Sequence, residues 1–256
     1  MQQTFLTNER RALDPVYAAA EFLWYFHPTG PLDMIAHYAP QYKNFAEPNG
    51  KVNGAYGPRI VGQIEDVLNI LQDRKTRRAV IALYSSYDIH KADHAKDIPC
   101  TLTWNFLFEN GALCLIATMR SNDIWLGMPY DIFVNTCVQR FIAAYLGVPT
   151  GWYQHQVGNL HLYDKHVQQA TEALAAKQVR GPVWPLREEF VTLEDIRQLI
   201  EHEEEWRIGG PHLWRPRTTG FLRDIWALIT EGLISSEILT DAYNRRIRLR
   251  RKNDAL

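Results

Sequence analysis

At 256 residues, with 46% hydrophobic and 22% charged side chains, the chain has the composition of an ordinary soluble globular protein able to bury a sizeable core, as one large domain or two small ones. A net charge of −1 gives no electrostatic case for a nucleic-acid or membrane partner. The three cysteines, Cys100, Cys114 and Cys137, are odd in number and lack metal-ligand spacing, which argues against a disulfide framework and a zinc site. The opening MQQTFLTNERRALDP has no apolar signal-like segment, and no stretch is long enough to span a bilayer. A soluble, unprocessed protein of the reducing cytoplasm is expected.

The first element in chain order is LDPVYAAAEFLWYFH, with Asp14 as N-cap and Pro15 at the first helical position. Apolar on nearly every face, it predicts a deeply buried helix with Glu21 in its middle. GQIEDVLNILQDR (62–74) places Ile64, Val67, Leu68 and Leu71 on one helical stripe. Strands are predicted over 77–85, 100–108 and 112–121, the last two joined at Asn110-Gly111, a hairpin signal. A long helix follows over 128–147, with Val134, Cys137, Val138, Phe141, Ile142 and Tyr145 on one face and Gly147 closing it. HQVGNLHLYDKH (155–166) reads as a further strand.

Beyond about residue 170 three helices are expected, in LEDIRQLIEHEEEW, TGFLRDIWALITEGL and SSEILTDAYNRRIRLRR, with a Pro/Gly-rich GGPHLWRPRTTG between the first two. Strands at the centre and helices at both ends predict an α/β (α+β) fold. The expected organisation is a core over 1–170 with a helical region, 171–256, on the same domain.

Taken one at a time, the chemistry-bearing residues have plain structural readings. Glu21 could reach water at a helix edge, and Thr76-Arg77-Arg78 could be a solvated strand start. Cys100 differs in following Pro99 at a strand edge and preceding a threonine, whereas structural cysteines sit inside apolar runs. Trp104, Phe106, Cys114 and Cys137 are assigned to the core.

In order, the motifs are AEFLWYF, NGAYG, TRRAVIALY, IPCTLTWNF, MRSNDIWLGMPYD and GNLHLYDKH. This series, over about residues 5–170, resembles the thymidylate synthase and deoxycytidylate hydroxymethylase family, and the conjunction is far more specific than any one motif. The resemblance implies a thymidylate synthase-like fold, a large mixed sheet packed with helices. It also implies one-carbon transfer from 5,10-methylenetetrahydrofolate to carbon 5 of a pyrimidine nucleotide. In such chemistry a thiolate adds at carbon 6 and later leaves, dividing one hard step into easier ones.

By resemblance Cys100 is that nucleophile, its pKa lowered by the nearby Arg120, which also binds the nucleotide phosphate. Ser121 looks like a further phosphate ligand. Arg77 and Arg78 match the pair that family members lend to the partner subunit, which implies an obligate homodimer. His161 and Tyr163, alternate residues of the expected strand, resemble the pair that binds the sugar hydroxyl. Glu21 matches the glutamate that organises water and proton transfers at the base, and burial would raise its pKa. Tyr56 matches the tyrosine that helps set a proton at carbon 5. Asp123 and Gly127 fall at the folate-binding positions.

Departures from the family pattern refine the reading. Asp131 stands where members acting on uracil carry asparagine, and a carboxyl group complements the N3 and N4 edge of cytosine. The hydroxymethylases share this aspartate and also a threonine at the place of Thr101, so dCMP or CMP is the expected substrate. The segment 34–57 contains no tryptophan, and RRKNDAL does not resemble the apolar tail that shields the reaction from water in synthases. Both favour a hydroxymethyl product. A dCMP methyltransferase or thymidylate synthase is the alternative enzyme, and the basic NRRIRLRRK (244–252) admits a non-catalytic RNA-binding or scaffold protein on this fold.

Overall fold

A computed structural model describes residues 6–8, 11, 13–176, 178–180, 190–210 and 220–231. In chain order the elements are β1 (Leu6–Asn8), α1 (Pro15–Trp24), α2 (Leu32–Tyr38), a 3₁₀ turn (Pro40–Phe45), α3 (Gly57–Val61), α4 (Ile64–Ile70), β2 (Val80–Ala82) and α5 (Ser86–Lys91). There follow β3 (Thr101–Glu109), β4 (Ala112–Asp123), α6 (Met128–Tyr145), β5 (Thr150–His161), α7 (Val167–Ala175), β6 (Gln178–Arg180), α8 (Leu193–Arg207) and α9 (Phe221–Glu231).

A four-stranded mixed sheet, ordered β2-β3-β4-β5, forms the centre. The pairs β2–β3 and β3–β4 are antiparallel, and β4–β5 is parallel. The β3–β4 turn uses Asn110 at φ 50° and Gly111 at φ 77°, as a two-residue hairpin of this type requires. The parallel pair needs a crossover, and α6 supplies it. Asp14 caps α1 by accepting from the backbone N–H groups of Val16 and Tyr17, at 3.1 Å each. Because α1 is apolar all round, it is buried along most of its length from Pro15 to Trp24.

The register aligns Ile81, Trp104, Ala117 and His155 across one face of the sheet. The first three are fully buried, in the core that α1 and α6 share. The other face carries Val80, Asn105, Ile116 and Gln154 in register, and Val80, Trp152 and Leu160 are exposed there or along its edge strand. Helix α9 packs on α1 through the rings of Phe22 and Phe221, 5.6 Å apart. Helix α8 reaches α2 through Tyr38, whose hydroxyl donates to buried Glu203 at 2.7 Å.

Several expectations shorten or shift. The strand expected over 77–85 is reduced to β2, because Leu83 and Tyr84 leave the ladder and donate their N–H groups to the single carbonyl of Leu102. The helix expected over 62–74 covers only Ile64–Ile70, although its stripe is buried as expected. Strand β5 begins at Thr150, and Tyr163 lies beyond its end rather than within it. The helix expected over 235–251 and the basic stretch 244–252 lie outside the described residues, as does most of the Pro/Gly-rich segment before α9.

Candidate active site

The sheet, α1 and the start of α6 enclose a cleft of about 820 Å³. Its walls hold ten of the twelve residues singled out in the sequence: Glu21, Tyr56, Cys100, Arg120, Ser121, Asp123, Gly127, Asp131, His161 and Tyr163. Arg77 and Arg78 are exposed, precede β2, and do not line it.

Cys100 stands at the entry to β3, where the backbone is fixed on three sides. The Tyr56 hydroxyl oxygen accepts from the N–H groups of Cys100, at 3.0 Å, and Thr101, at 2.9 Å. That leaves its own proton to donate into the site. Arg120 donates its backbone N–H to the Cys100 carbonyl at 2.8 Å. Its guanidinium binds the carbonyls of Ile98 and Pro99, at 2.9 Å each. Between Thr101 and Thr103 the ladder slips by one residue, a bulge of the kind that re-aims side chains beside active sites.

Arg120 depresses the Cys100 pKa as expected, but it does not set the net direction. Burial pushes the thiol up; Arg120 opposes this, and the charges of Asp131 and Asp97 add to the rise. A thiol inside a partly dry cleft with carboxylates nearby loses more hydration than one guanidinium returns.

Two buried carboxyl groups face the same space. Glu21 is 6% exposed, and its Oε1 accepts from the hydroxyls of Tyr17, at 2.6 Å, and Tyr42, at 2.9 Å. Its Oε2 is buried without a partner among the described residues. Burial first, and the charge of Asp131 second, push Glu21 up to about 7, against the two tyrosine bonds. Asp131 lies in the first turn of α6, and its Oδ2 accepts from Asn122 Nδ2 at 2.7 Å. A helix N-terminus favours a carboxylate, yet burial prevails and Asp131 is pushed up to about 6. Gly127 leaves room for this pairing, since a Cβ there would crowd it, at 3.0 Å from Asn122 Nδ2 and 3.1 Å from Asp131 Oδ2.

At the other end of the cleft, His161 and Tyr163 stand edge to face with ring centres 5.1 Å apart. Tyr163 reaches the cleft from the loop after β5, so the two share the site without sharing a strand face. Asp123 caps the turn before α6 through Oδ1, which accepts from the N–H groups of Trp125 and Leu126. Its Oδ2 is buried without a hydrogen bond among the described residues, and the carboxylate charge acts on Arg11.

Sequence reasoning gave no role to Tyr17, Tyr42, Asp97, Asn122 and His155, which build this geometry. Tyr17 was within reach, because it lies four residues before Glu21 and so on the same helix face. Asn122 sits inside the quoted MRSND motif, and its side-chain partners, Asp131 and His155, come from other elements.

A thiol, two buried carboxyl groups with raised pKa values and an arginine lining one cleft are the parts of a covalent-addition enzyme acting on an electrophilic ring. The sequence profile of the thymidylate synthase family matches residues 5–202, and the chain belongs to that family, one-carbon transferases of pyrimidine nucleotides. The fold is similar to that of the thermostable thymidylate synthase A of Bacillus subtilis, with a TM-score of 0.65 at 23% identity over 75% of this chain and 72% of that one.

Proposed function

We propose that this protein is a cytidylate 5-hydroxymethylase acting on dCMP or CMP. The observation that carries the base assignment is Asp131, a carboxyl group pushed up to about 6 on the wall of the cleft that holds Cys100. In its neutral form it gives a proton to cytosine N3 and accepts from the N4 amino group. As a carboxylate beside a protonated N3 it makes the same pair of bonds. Uracil presents the opposite pattern and would leave buried groups unpaired.

The Cys100 thiol gives up its proton and its sulfur bonds to carbon 6 of the ring. The electron pair displaced by this addition makes carbon 5 nucleophilic, and Asp131 stabilises the ring as it fills with charge. Once carbon 5 carries the one-carbon unit and has lost its proton, water gives its hydroxyl to the carbon of that unit and its proton to a base in the cleft. The electron pair this pushes to carbon 5 restores the ring double bond as the carbon 6–sulfur bond breaks, regenerating the thiolate. Glu21, with Oε2 unpartnered and two tyrosine hydroxyls on Oε1, is placed to hold a water or a proton at the base. Tyr56 has a hydroxyl proton available beside Cys100. Arg120 and Ser121 bind the phosphate, and His161 and Tyr163 the sugar. Asp123, through an Oδ2 with no hydrogen bond among the described residues, and the closely packed Gly127 would hold 5,10-methylenetetrahydrofolate. That cofactor supplies the one-carbon unit when bound.

Two features support a hydroxymethyl product. The stretch 34–57 brings Tyr38, Tyr42 and Phe45 to the cleft and no tryptophan. The Tyr42 hydroxyl faces Glu21, so this wall is one at which water can be held.

We infer further that the enzyme is a homodimer in which Arg77 and Arg78 serve the partner's phosphate site. The open sheet face with Val80, Trp152 and Leu160 exposed supports this, because it adjoins both arginines and is suited to a second copy of the same sheet. We also propose a catalytic core over 1–170 with 171–256 as a helical region on the same domain, supported by the packing of α8 and α9 on α1 and α2.

Incubation with methylenetetrahydrofolate and dCMP, CMP or dUMP, followed by mass measurement of the nucleotide, tests the reading. A hydroxymethyl gain on a cytosine nucleotide is expected. A methyl gain on dCMP identifies the methyltransferase, and turnover of dUMP alone overturns the cytosine assignment. Arg78→Ala chains mixed with Cys100→Ala chains should recover activity, because each heterodimer holds one intact site; no recovery despite subunit exchange overturns the shared arginines.

A further inference from the structure

Behind Asp131 a line of buried polar groups runs from the cleft into the core. Asn122 Oδ1 meets His155 Nε2 at 2.9 Å, and His155 Nδ1 meets the Tyr153 hydroxyl at 2.6 Å. Asn135 Nδ2 donates to that hydroxyl at 3.0 Å, and Asn135 Oδ1 accepts from Trp104 Nε1 at 3.0 Å. Trp104 and Asn135 are no more than 2% exposed, and Asn122 and Tyr153 no more than 8%. Unpaired members would therefore carry the full cost of desolvation.

The end of this line sets its direction. An indole N–H only donates, so Asn135 must turn its carbonyl to Trp104 and its amino group to Tyr153. The Tyr153 oxygen then accepts from Asn135, and His155 Nδ1 is the remaining partner among the described residues for its buried proton. His155 is thereby held as the neutral tautomer protonated at Nε2, which donates to Asn122 Oδ1. Asn122 in turn must offer its amino group to Asp131 Oδ2. Every bond has one polarity, fixed about five bonds from the cleft by a residue that does not line it.

We propose that this relay decides which oxygen of Asp131 holds the exchangeable proton, with Asn122, His155 and Tyr153 as positioning residues for base selection. Oδ2 is committed as an acceptor, so the proton of the neutral acid resides on Oδ1, the oxygen with no hydrogen bond among the described residues. The inference rests on the cytosine reading, for which a donor at Oδ1 is the group that N3 requires. Burial also lowers the His155 pKa, which keeps the imidazole neutral as the relay demands. The β5 pleat supports the arrangement, since Tyr153 and His155 are two residues apart and share one face of the strand.

Tyr153→Phe removes one oxygen from a residue outside the cleft wall. His155 is then released to the other tautomer, the Asn122 amide turns over, and the Asp131 proton is drawn to Oδ2. The kcat/KM for dCMP should fall about tenfold relative to that for dUMP, the effect of one misdirected hydrogen bond. In the full-length wild-type protein, ¹⁵N NMR of the imidazoles, assigned through His155→Gln, should show His155 neutral and protonated at Nε2. Finding it protonated at Nδ1, or as an imidazolium at neutral pH, overturns the relay, and this measurement stands even if Tyr153→Phe fails to fold. A folded Tyr153→Phe protein with lowered Tm but an unchanged dCMP to dUMP ratio also overturns it, since that is the mark of a structural role alone. Wild-type protein that turns over dUMP and leaves dCMP untouched removes the cytosine reading instead, and the tautomer then decides the relay by itself.

Discussion

The two working groups of the cleft, Cys100 and Asp131, are held by different means. At Cys100 the chain is held through its backbone: Tyr56 takes two main-chain N–H groups, and Arg120 clasps the carbonyls of Ile98 and Pro99. At Asp131 the contacts are between side chains, from Asn122 back to Trp104. The place of the nucleophile depends on Tyr56 and Arg120, which grip the main chain around it. A recognition group fixed by side chains changes its chemistry with one substitution. Placement of the nucleophile and choice of base are thus separable functions of one cleft.

The largest test of that separation is Cys100→Ala, which should abolish turnover and tritium release from carbon 5. Cys114→Ala and Cys137→Ala lie in the buried core and should remain active. Asp131→Asn should lower kcat on the cytosine nucleotide by ~10²-fold, the scale of a lost transition-state hydrogen bond, and raise dUMP turnover relative to dCMP. If Asp131 only caps its helix, stability falls and the ratio does not move. Tyr56→Phe strands two N–H donors beside the nucleophile and removes a proton donor, so it should slow both bases alike by roughly tenfold. A change in the base ratio with Tyr56→Phe would break the separation.

Much of the scaffold was legible because it is written in local chemistry. The cap and proline at Asp14-Pro15, the Asn110-Gly111 turn and the apolar stripe of α6 are short-range signals, and each element formed where those signals put it. The short helices α2, α3 and α5 escaped detection: α3 has a first-turn proline and α5 a Ser85–Asp88 capping box, but at five to seven residues none is long enough to show an apolar period. The same distinction runs through the site. Cys100, Glu21 and Asp131 stood out as reactive types in unusual surroundings. His155 and Trp104 look like an ordinary strand histidine and a core tryptophan until tertiary structure joins them. The sense of the thiol shift was misjudged for a related reason: the Arg120 charge is visible in sequence, and the burial that outweighs it is not.

The smallest expected effect concerns the cost of keeping carboxyl groups in this cleft. Glu21 rises from 4.5 to about 7 and Asp131 from 3.8 to about 6, each chiefly through burial. Between the unfolded and folded values the native state holds a proton that the unfolded chain has released, so stability falls as pH rises. The loss begins near pH 4 and is complete above about pH 7, the direction opposite to that of a carboxylate stabilised by an ion pair. Glu21→Gln should remove its share. The amide oxygen still accepts from Tyr17 and Tyr42, and the amino group replaces Oε2, which has no partner to lose among the described residues. The fall in Tm between pH 5 and pH 8 should therefore be smaller in Glu21→Gln by roughly 5–10 °C, while turnover drops. An equal fall in both proteins would mean that Glu21 is solvated in the folded state, and its place as the proton-holding group at the base would go with it.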